Sequence, residues 1–192
     1  MSPIVFDVGA NTGQTTSAIL RVLPGAIVHA FEPHPGAFEG MRRLSMMQKN
    51  VVLNNCALGA QPGEQTLFEN TSSDMSSLLP LGQDGWEHVQ ARRTVKVSTV
   101  DEYCAHRGIP RIDLLKSDTQ GFELEVLKGA SRMLERNLVH LIDRMTSVQK
   151  YQLGIFRVGL SPRASDPAEV IQHEIGWSAQ RGTIDGEIEI GS

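Results

Sequence analysis

The first part of the chain alternates between two apolar rhythms. Ile4-Val5-Phe6-Asp7-Val8 is a short β-branched and aromatic run that ends at Gly9, the pattern of a buried strand. From Gln14 the spacing becomes helical: Ala18, Ile19, Val22 and Leu23 share one side, and Pro24-Gly25 stops the run. A second strand is predicted over 27–31. A second helix follows over 37–47, with Phe38, Met41 and Leu44 on one face, and Val51-Val52-Leu53 begins a third strand. Strand and helix in strict alternation imply parallel pairing with right-handed crossovers. The expected fold is α/β: a doubly wound, mostly parallel, Rossmann-like sheet with helices on both faces.

The middle of the chain is less regular. Gln61-Pro62-Gly63 predicts a turn, 65–70 a short strand, and 71–90 a loop over the sheet. A strand resumes over 94–98. Thr99-Val100-Asp101-Glu102 then has capping-box spacing and predicts a helix start. A fourth parallel strand is expected over 112–116, and a fifth over 139–142. Between them Phe122, Val126, Ala130, Met133 and Leu134 mark one amphipathic helix. Periodicity weakens beyond Asp143, where Asp185-Gly186 between two short apolar runs suggests a hairpin. The division expected is a core over 1–143, with a cofactor-binding half (1–60) and a substrate half (61–143), followed by an atypical segment over 144–192.

Composition adds exclusions more than assignments. The 192 residues suit one domain with a sizeable core, and 40% hydrophobic with 21% charged residues is globular composition. The formal net charge of -4, with only isolated arginine pairs at 42–43 and 92–93, gives no electrostatic reason to expect nucleic-acid binding. Cys56 and Cys104 are too few for a disulfide scaffold and read as reduced thiols of a cytoplasmic protein. The N-terminus lacks signal-peptide character, and no apolar run reaches the roughly 18 residues of a membrane span. No His-x-x-x-His or clustered carboxylate pattern calls for a metal.

The chemistry concentrates at predicted carboxyl ends of strands. Asp7-Val8-Gly9-Ala10-Asn11-Thr12-Gly13 is a strand, a tight turn and a helix start, the cofactor corner of a doubly wound sheet. Gly9 and Gly13 permit torsions and close approach that a Cβ would forbid. A dinucleotide fingerprint starting at Gly9 would need glycine where Asn11 and Gln14 stand, so a pyrophosphate cradle is poorly supported. The turn suits a cofactor without phosphate that carries a cationic amino group, which Asp7 can help hold. Phe31-Glu32-Pro33 ends the second strand with an acid able to accept from both ribose hydroxyls. Asn55, after the third strand, is a candidate for the adenine edge, and a plain turn is the alternative. Lys116 and Asp118 end the fourth strand, where alternation places them on one face. They form a candidate substrate pair, or a salt bridge at the helix start. His34 is a second candidate base, whereas His140, inside a predicted strand, reads as structural.

Together these residues resemble the FkbM family of S-adenosylmethionine-dependent methyltransferases. The resemblance rests on 5–13, 31–33, 99–101 and the block Ile112-Asp113-Leu114-Leu115-Lys116-Ser117-Asp118-Thr119-Gln120-Gly121-Phe122-Glu123 running into Val126-Leu127-Lys128-Gly129-Ala130. Ser76-Ser77-Leu78 is similar to a serine pair of the family's middle segment. The resemblance implies a seven-strand methyltransferase fold and S-adenosyl-L-methionine as cofactor. It implies cofactor contacts at Asp7, Gly9, Asn11, Gly13 and Glu32, and methyl transfer to a hydroxyl of a small molecule, often a sugar or secondary metabolite; Ala10, in the same turn, is a further cofactor-binding candidate. Asp118, with Lys116 beside it, is the first choice for base or acceptor contact. A nicotinamide-dependent oxidoreductase and a non-catalytic cofactor-binding homologue are the alternatives.

Overall fold

The computed structural model describes residues 2–70, 76–79 and 89–139, and the backbone of 142–144 and 154–156. The hairpin expected around Asp185-Gly186, His140, and most of the 71–90 loop lie outside the described residues.

The predicted alternation forms as expected. Strand β1 (Ile4–Val8) leads through the turn to helix α1 (Gln14–Val22), then β2 (Ile27–Phe31), α2 (Pro35–Met47) and β3 (Val51–Asn54). After a smaller second sheet come α3 (Val100–Arg107), β7 (Leu114–Ser117), α4 (Glu123–Lys128), α5 (Ser131–Glu135), β8 (Ile142–Arg144) and β9 (Gly154–Phe156). The main sheet runs β3-β2-β1-β7-β8-β9, parallel except for antiparallel β9. The second sheet, β4 (Ala57–Leu58), β5 (Gly63–Asn70) and β6 (Val89–Ser98), has the order β4-β6-β5.

Period-two alternation gives each strand two apolar faces. Val5, Val28 and Leu114 pack against Ile19 and Leu20 of α1. Ala30, on that same face, meets Met41 of α2. Phe6, Val8, Phe31 and Leu115 point the other way, onto Val100, Tyr103, Val126, Ala130 and Met133. Phe31 and Tyr103 meet edge to face with ring centroids 4.8 Å apart, a geometry worth about 0.5–1.5 kcal/mol beyond area burial. Helices therefore cover both faces of the sheet.

Four elements differ from expectation. Helix α2 starts at Pro35 rather than 37: His34 caps it, its Nδ1 accepting from Ala37 N at 3.2 Å, and Pro35 suits the first turn. The single helix expected from Phe122 to Leu134 is two, α4 and α5. At Gly129 the chain presses so close to Gly59 that a Cβ would stand 2.0 Å from the Gly59 carbonyl oxygen. The buried Asp101 carboxylate then accepts from Arg132 N (2.9 Å) and Met133 N (3.0 Å) and starts a fresh turn. The fourth main-sheet strand, β7, ends at Ser117 and does not reach Asp118. Val139 makes only a bridge to Ile112, and the strand expected over 139–142 appears as β8 at 142–144.

Candidate functional site

The strand order reverses between β1 and β7: β1, β2 and β3 run outward on one side, β7 and β8 on the other. Open parallel sheets bind ligands outside the carboxyl ends at such a point. A cleft lies there, lined by Gly9, Asn11, Phe31, Glu32, Leu58, Leu67, Ser77, Asp118, Thr119, Gln120 and Phe122 among others.

The first turn is built from the inside. Gly9 has φ 73°, and a Cβ there would stand 1.9 Å from the Asp118 carbonyl oxygen. Glycine is required because the loop after β7 crosses directly over it. Gly13, at the cap of α1, has φ 93°, and its Cβ would stand 2.9 Å from Leu44 Cδ2. Asn11 is left-handed at φ 50°, a conformation asparagine tolerates. The amides of Gly9 and Ala10 both donate to Phe31 O (3.0 and 3.1 Å), and Gly13 N donates to Ala10 O (2.9 Å). Asn11 N donates to Glu32 Oε2 at 2.8 Å, while Glu32 Oε1 accepts from His34 N at 2.7 Å. Glu32 is buried. Desolvation pushes its carboxyl above the usual range, opposed by those two amide hydrogen bonds and by the Lys116 charge.

Of the residues expected to form the site, Gly9, Asn11, Glu32 and Asp118 line the cleft together. Asp7, Ala10, Gly13, His34, Asn55 and Lys116 brace it from outside the lining. Asp7 is fully buried beneath the turn: Thr16 Oγ1 donates to its Oδ2 at 2.6 Å, and Lys116 Nζ stands 2.9 Å from its Oδ1. Asp7, expected to help hold a cofactor amino group, is thus enclosed with Thr16 and Lys116 against its carboxylate. Lys116 is likewise enclosed and donates to Gly9 O at 3.1 Å. It faces Asp7 in register across β1 and β7, on the α1 side of the sheet. Ala10 is buried against Ala30 and Met41. His34 is a helix cap, with Nε2 3.7 Å from Glu69 Oε1. The Asn55 amide nitrogen donates to Glu32 O (2.8 Å) and Pro33 O (3.3 Å), holding the chain beyond Glu32 in place.

The loop after β7 supplies the opposite wall. Gln120 Nε2 donates to Asp118 Oδ1 at 3.0 Å. Buried Glu123 folds back, its Oε1 accepting from Thr119 N (2.9 Å) and Gly121 N (3.1 Å). Ser77 pairs with Phe68 of β5 and donates through Oγ to Gln120 O at 2.9 Å, tying the 76–79 segment to this loop. Glu123 was visible within the strand-four block but has a shaping role that spacing does not announce. Leu58 and Leu67 come from the second sheet, whose long-range pairing leaves no local signature.

The profile of the methyltransferase FkbM domain matches residues 7–174. The chain belongs to that family. The match runs past the stretch on which the sequence resemblance rested and takes in β8 and β9. Three curated relatives show the same likeness. The 2-O-methyltransferase NoeI of Sinorhizobium fredii is 24% identical, over 70% of this chain and 60% of its own length. The hexuronic acid methyltransferase AglP of Haloferax volcanii is 28% identical, over 69% and 52%. The 31-O-demethyl-FK506 methyltransferase FkbM of Streptomyces tacrolimicus is 28% identical, over 66% and 58%. This family member thus spans between half and two thirds of the relatives' lengths. No helix of its described residues is long and apolar enough to cross a membrane.

Proposed function

We propose that the chain is an S-adenosylmethionine-dependent O-methyltransferase acting on a hydroxyl of a small molecule, of the sugar or secondary-metabolite class. The observation that carries this reading is the state of the first turn. Its amides at Gly9, Ala10, Asn11 and Gly13 already donate to the protein's own oxygens, and the Glu32 carboxyl closes the turn. A pyrophosphate needs unengaged amides at this corner. A nucleoside without phosphate does not. Glu32 uses one lone pair on each oxygen for the backbone, and a carboxylate retains further acceptor positions for ribose hydroxyls. The relatives' names, two of which specify O-methylation, point the same way.

S-adenosylmethionine, when bound, supplies an electrophilic methyl group. The chain's own residues do the rest. Glu32 holds the nucleoside, and Phe31, Leu58, Leu67 and Phe122 keep water from the cleft. Asp118, oriented by Gln120, accepts the proton of the acceptor hydroxyl. Holding the acceptor in line can supply up to about 7–11 kcal/mol. The test is Asp118→Asn, which keeps the shape but removes the proton acceptor. Affinity for S-adenosylhomocysteine should stay near wild type while methyl transfer drops by at least about tenfold. Loss of affinity with turnover of bound cofactor preserved would instead place Asp118 against the cofactor. Binding of NADH in place of S-adenosylhomocysteine by the wild-type protein would overturn the whole reading.

A further inference from the structure

The loop after β7 takes a costly shape around Gln120. That residue is left-handed at φ 54°, and Gly121 follows at φ 100°. Glycine adopts this region freely, whereas glutamine keeps it only where its surroundings hold it there. Two peptide groups flank the Gln120 Cα, and both are held. The one before it is anchored by Thr119 O, which accepts from Phe122 N at 3.4 Å. The one after it is clamped from both edges. Its carbonyl, Gln120 O, accepts from Ser77 Oγ at 2.9 Å, and its amide, Gly121 N, donates to Glu123 Oε1 at 3.1 Å. Fixed backbone torsions in turn restrict the rotamers open to the side chain. The Gln120 side chain takes the one that brings Nε2 to Asp118 Oδ1, at 3.0 Å.

Phe122 and Glu123 belong to the loop itself, but Ser77 reaches it from 43 residues away in sequence. Ser77 is buried and cannot turn. Its N donates to Phe68 O at 3.2 Å, its O accepts from Phe68 N at 2.9 Å, and its Oγ accepts from Leu79 N at 3.1 Å. With the oxygen engaged by Leu79, the hydroxyl hydrogen points to Gln120 O. The second sheet thus reaches a carboxylate in the cleft through hydrogen bonds in series: Phe68 to Ser77, Ser77 to Gln120, Gln120 to Asp118. Ser77, Gln120 and Asp118 all line that cleft. An amide donating to a carboxylate holds its orientation and favours its ionised form, the form that can take a proton. We infer that Ser77 is a positioning residue for methyl transfer: through the Gln120 peptide it aims the Gln120 amide at Asp118 and keeps that carboxylate oriented as the proton acceptor. This role rests on Asp118 being the proton acceptor, as proposed above.

The Asp118 carboxyl carbon, followed by carbon-13 NMR against pH, reads this link without any methyl acceptor. Ser77→Ala removes the hydroxyl and should raise the Asp118 titration midpoint by about half a pH unit or more, because a donor to the charged form is displaced. Gln120→Gly accepts the left-handed backbone without strain and carries no amide, so it should raise the midpoint at least as far. Adding Ser77→Ala to Gln120→Gly should then move it no further, since the serine acts only through that amide. Ser77→Thr, which keeps the hydroxyl, should titrate with the wild type. A wild-type midpoint in folded Ser77→Ala, even with a lowered melting temperature, would reduce Ser77 to a structural tie and overturn the inference. An equal shift by Ser77→Ala with and without Gln120→Gly would overturn it as well. Asp118→Asn protein that still transferred methyl at the wild-type rate would instead remove the proposed proton acceptor and leave the titration result standing, so the two failures are distinguishable.

Discussion

Lys116 and Asp7 stand directly opposite each other on β7 and β1 as an enclosed ion pair, Nζ to Oδ1 2.9 Å, with the same Nζ donating to Gly9 O. The pair joins the two strands at the point where the sheet reverses order, and it holds the floor of the glycine turn. Removing one partner leaves the other charged, buried and uncompensated. Lys116→Met should therefore lower unfolding free energy by about 3–5 kcal/mol, measured by urea denaturation. The double variant Asp7→Asn, Lys116→Met should recover part of that loss, because neither charge is then stranded. A loss below about 1 kcal/mol for Lys116→Met would show that the pair is not sealed as its geometry implies.

Gly9 and Asp118 are tied by contact rather than by bonding. Because a Cβ at Gly9 would collide with the Asp118 carbonyl oxygen, Gly9→Ala should already displace the loop after β7. The residue also sits at φ 73°, which alanine resists. The expected outcome is a lower melting temperature together with lost S-adenosylhomocysteine binding, not lost binding alone. A Gly9→Ala protein with wild-type melting and no binding would mean that the ligand, and not Asp118, requires the glycine.

Glu32 is expected to show the same coupling in a milder form. Its carboxylate accepts from the amides of Asn11 and His34, so Glu32→Ala removes the proposed ribose acceptor and leaves two backbone donors without their partner. S-adenosylhomocysteine should bind about 1–3 kcal/mol more weakly, with a parallel fall in stability. Calorimetry and thermal melting on one variant read both effects. Unchanged affinity in a folded variant would remove Glu32 from the nucleoside site.

Local pattern made the first half of the fold legible, because each strand and helix there carries its apolar positions at its own period. It also placed Gly9, Asn11, Glu32 and Asp118 at one edge, since parallel strands bring successive carboxyl ends together. What it could not distinguish was floor from lining. Asp7 and Lys116 carry the same charges whether they face a ligand or each other, and only the register across β1 and β7 decides. The break between α4 and α5 was hidden for a similar reason. The apolar spacing from Phe122 to Leu134 is continuous, while the interruption comes from Gly59 and Asp101, which are distant in sequence.

His29 predicts how the fold responds to acid. It lies in β2 among Phe6, Phe31 and Tyr103, with Nδ1 2.8 Å from the Tyr103 hydroxyl. Burial, aided by the nearby Arg107 charge, lowers its pKa from the ordinary 6.5 to about 4. Between those values the unfolded chain binds a proton that the folded one refuses, so stability rises with pH across this window. The neutral ring's contribution is complete above about pH 6.5 and is lost progressively as pH falls toward 4. Urea midpoints should therefore drop between pH 7 and pH 5 in the wild-type protein. His29→Gln, which cannot titrate but still offers a polar group to Tyr103, should be less stable at pH 7 and should lose less on going to pH 5. Parallel pH dependence in the two proteins would show that another group, and not His29, governs acid sensitivity.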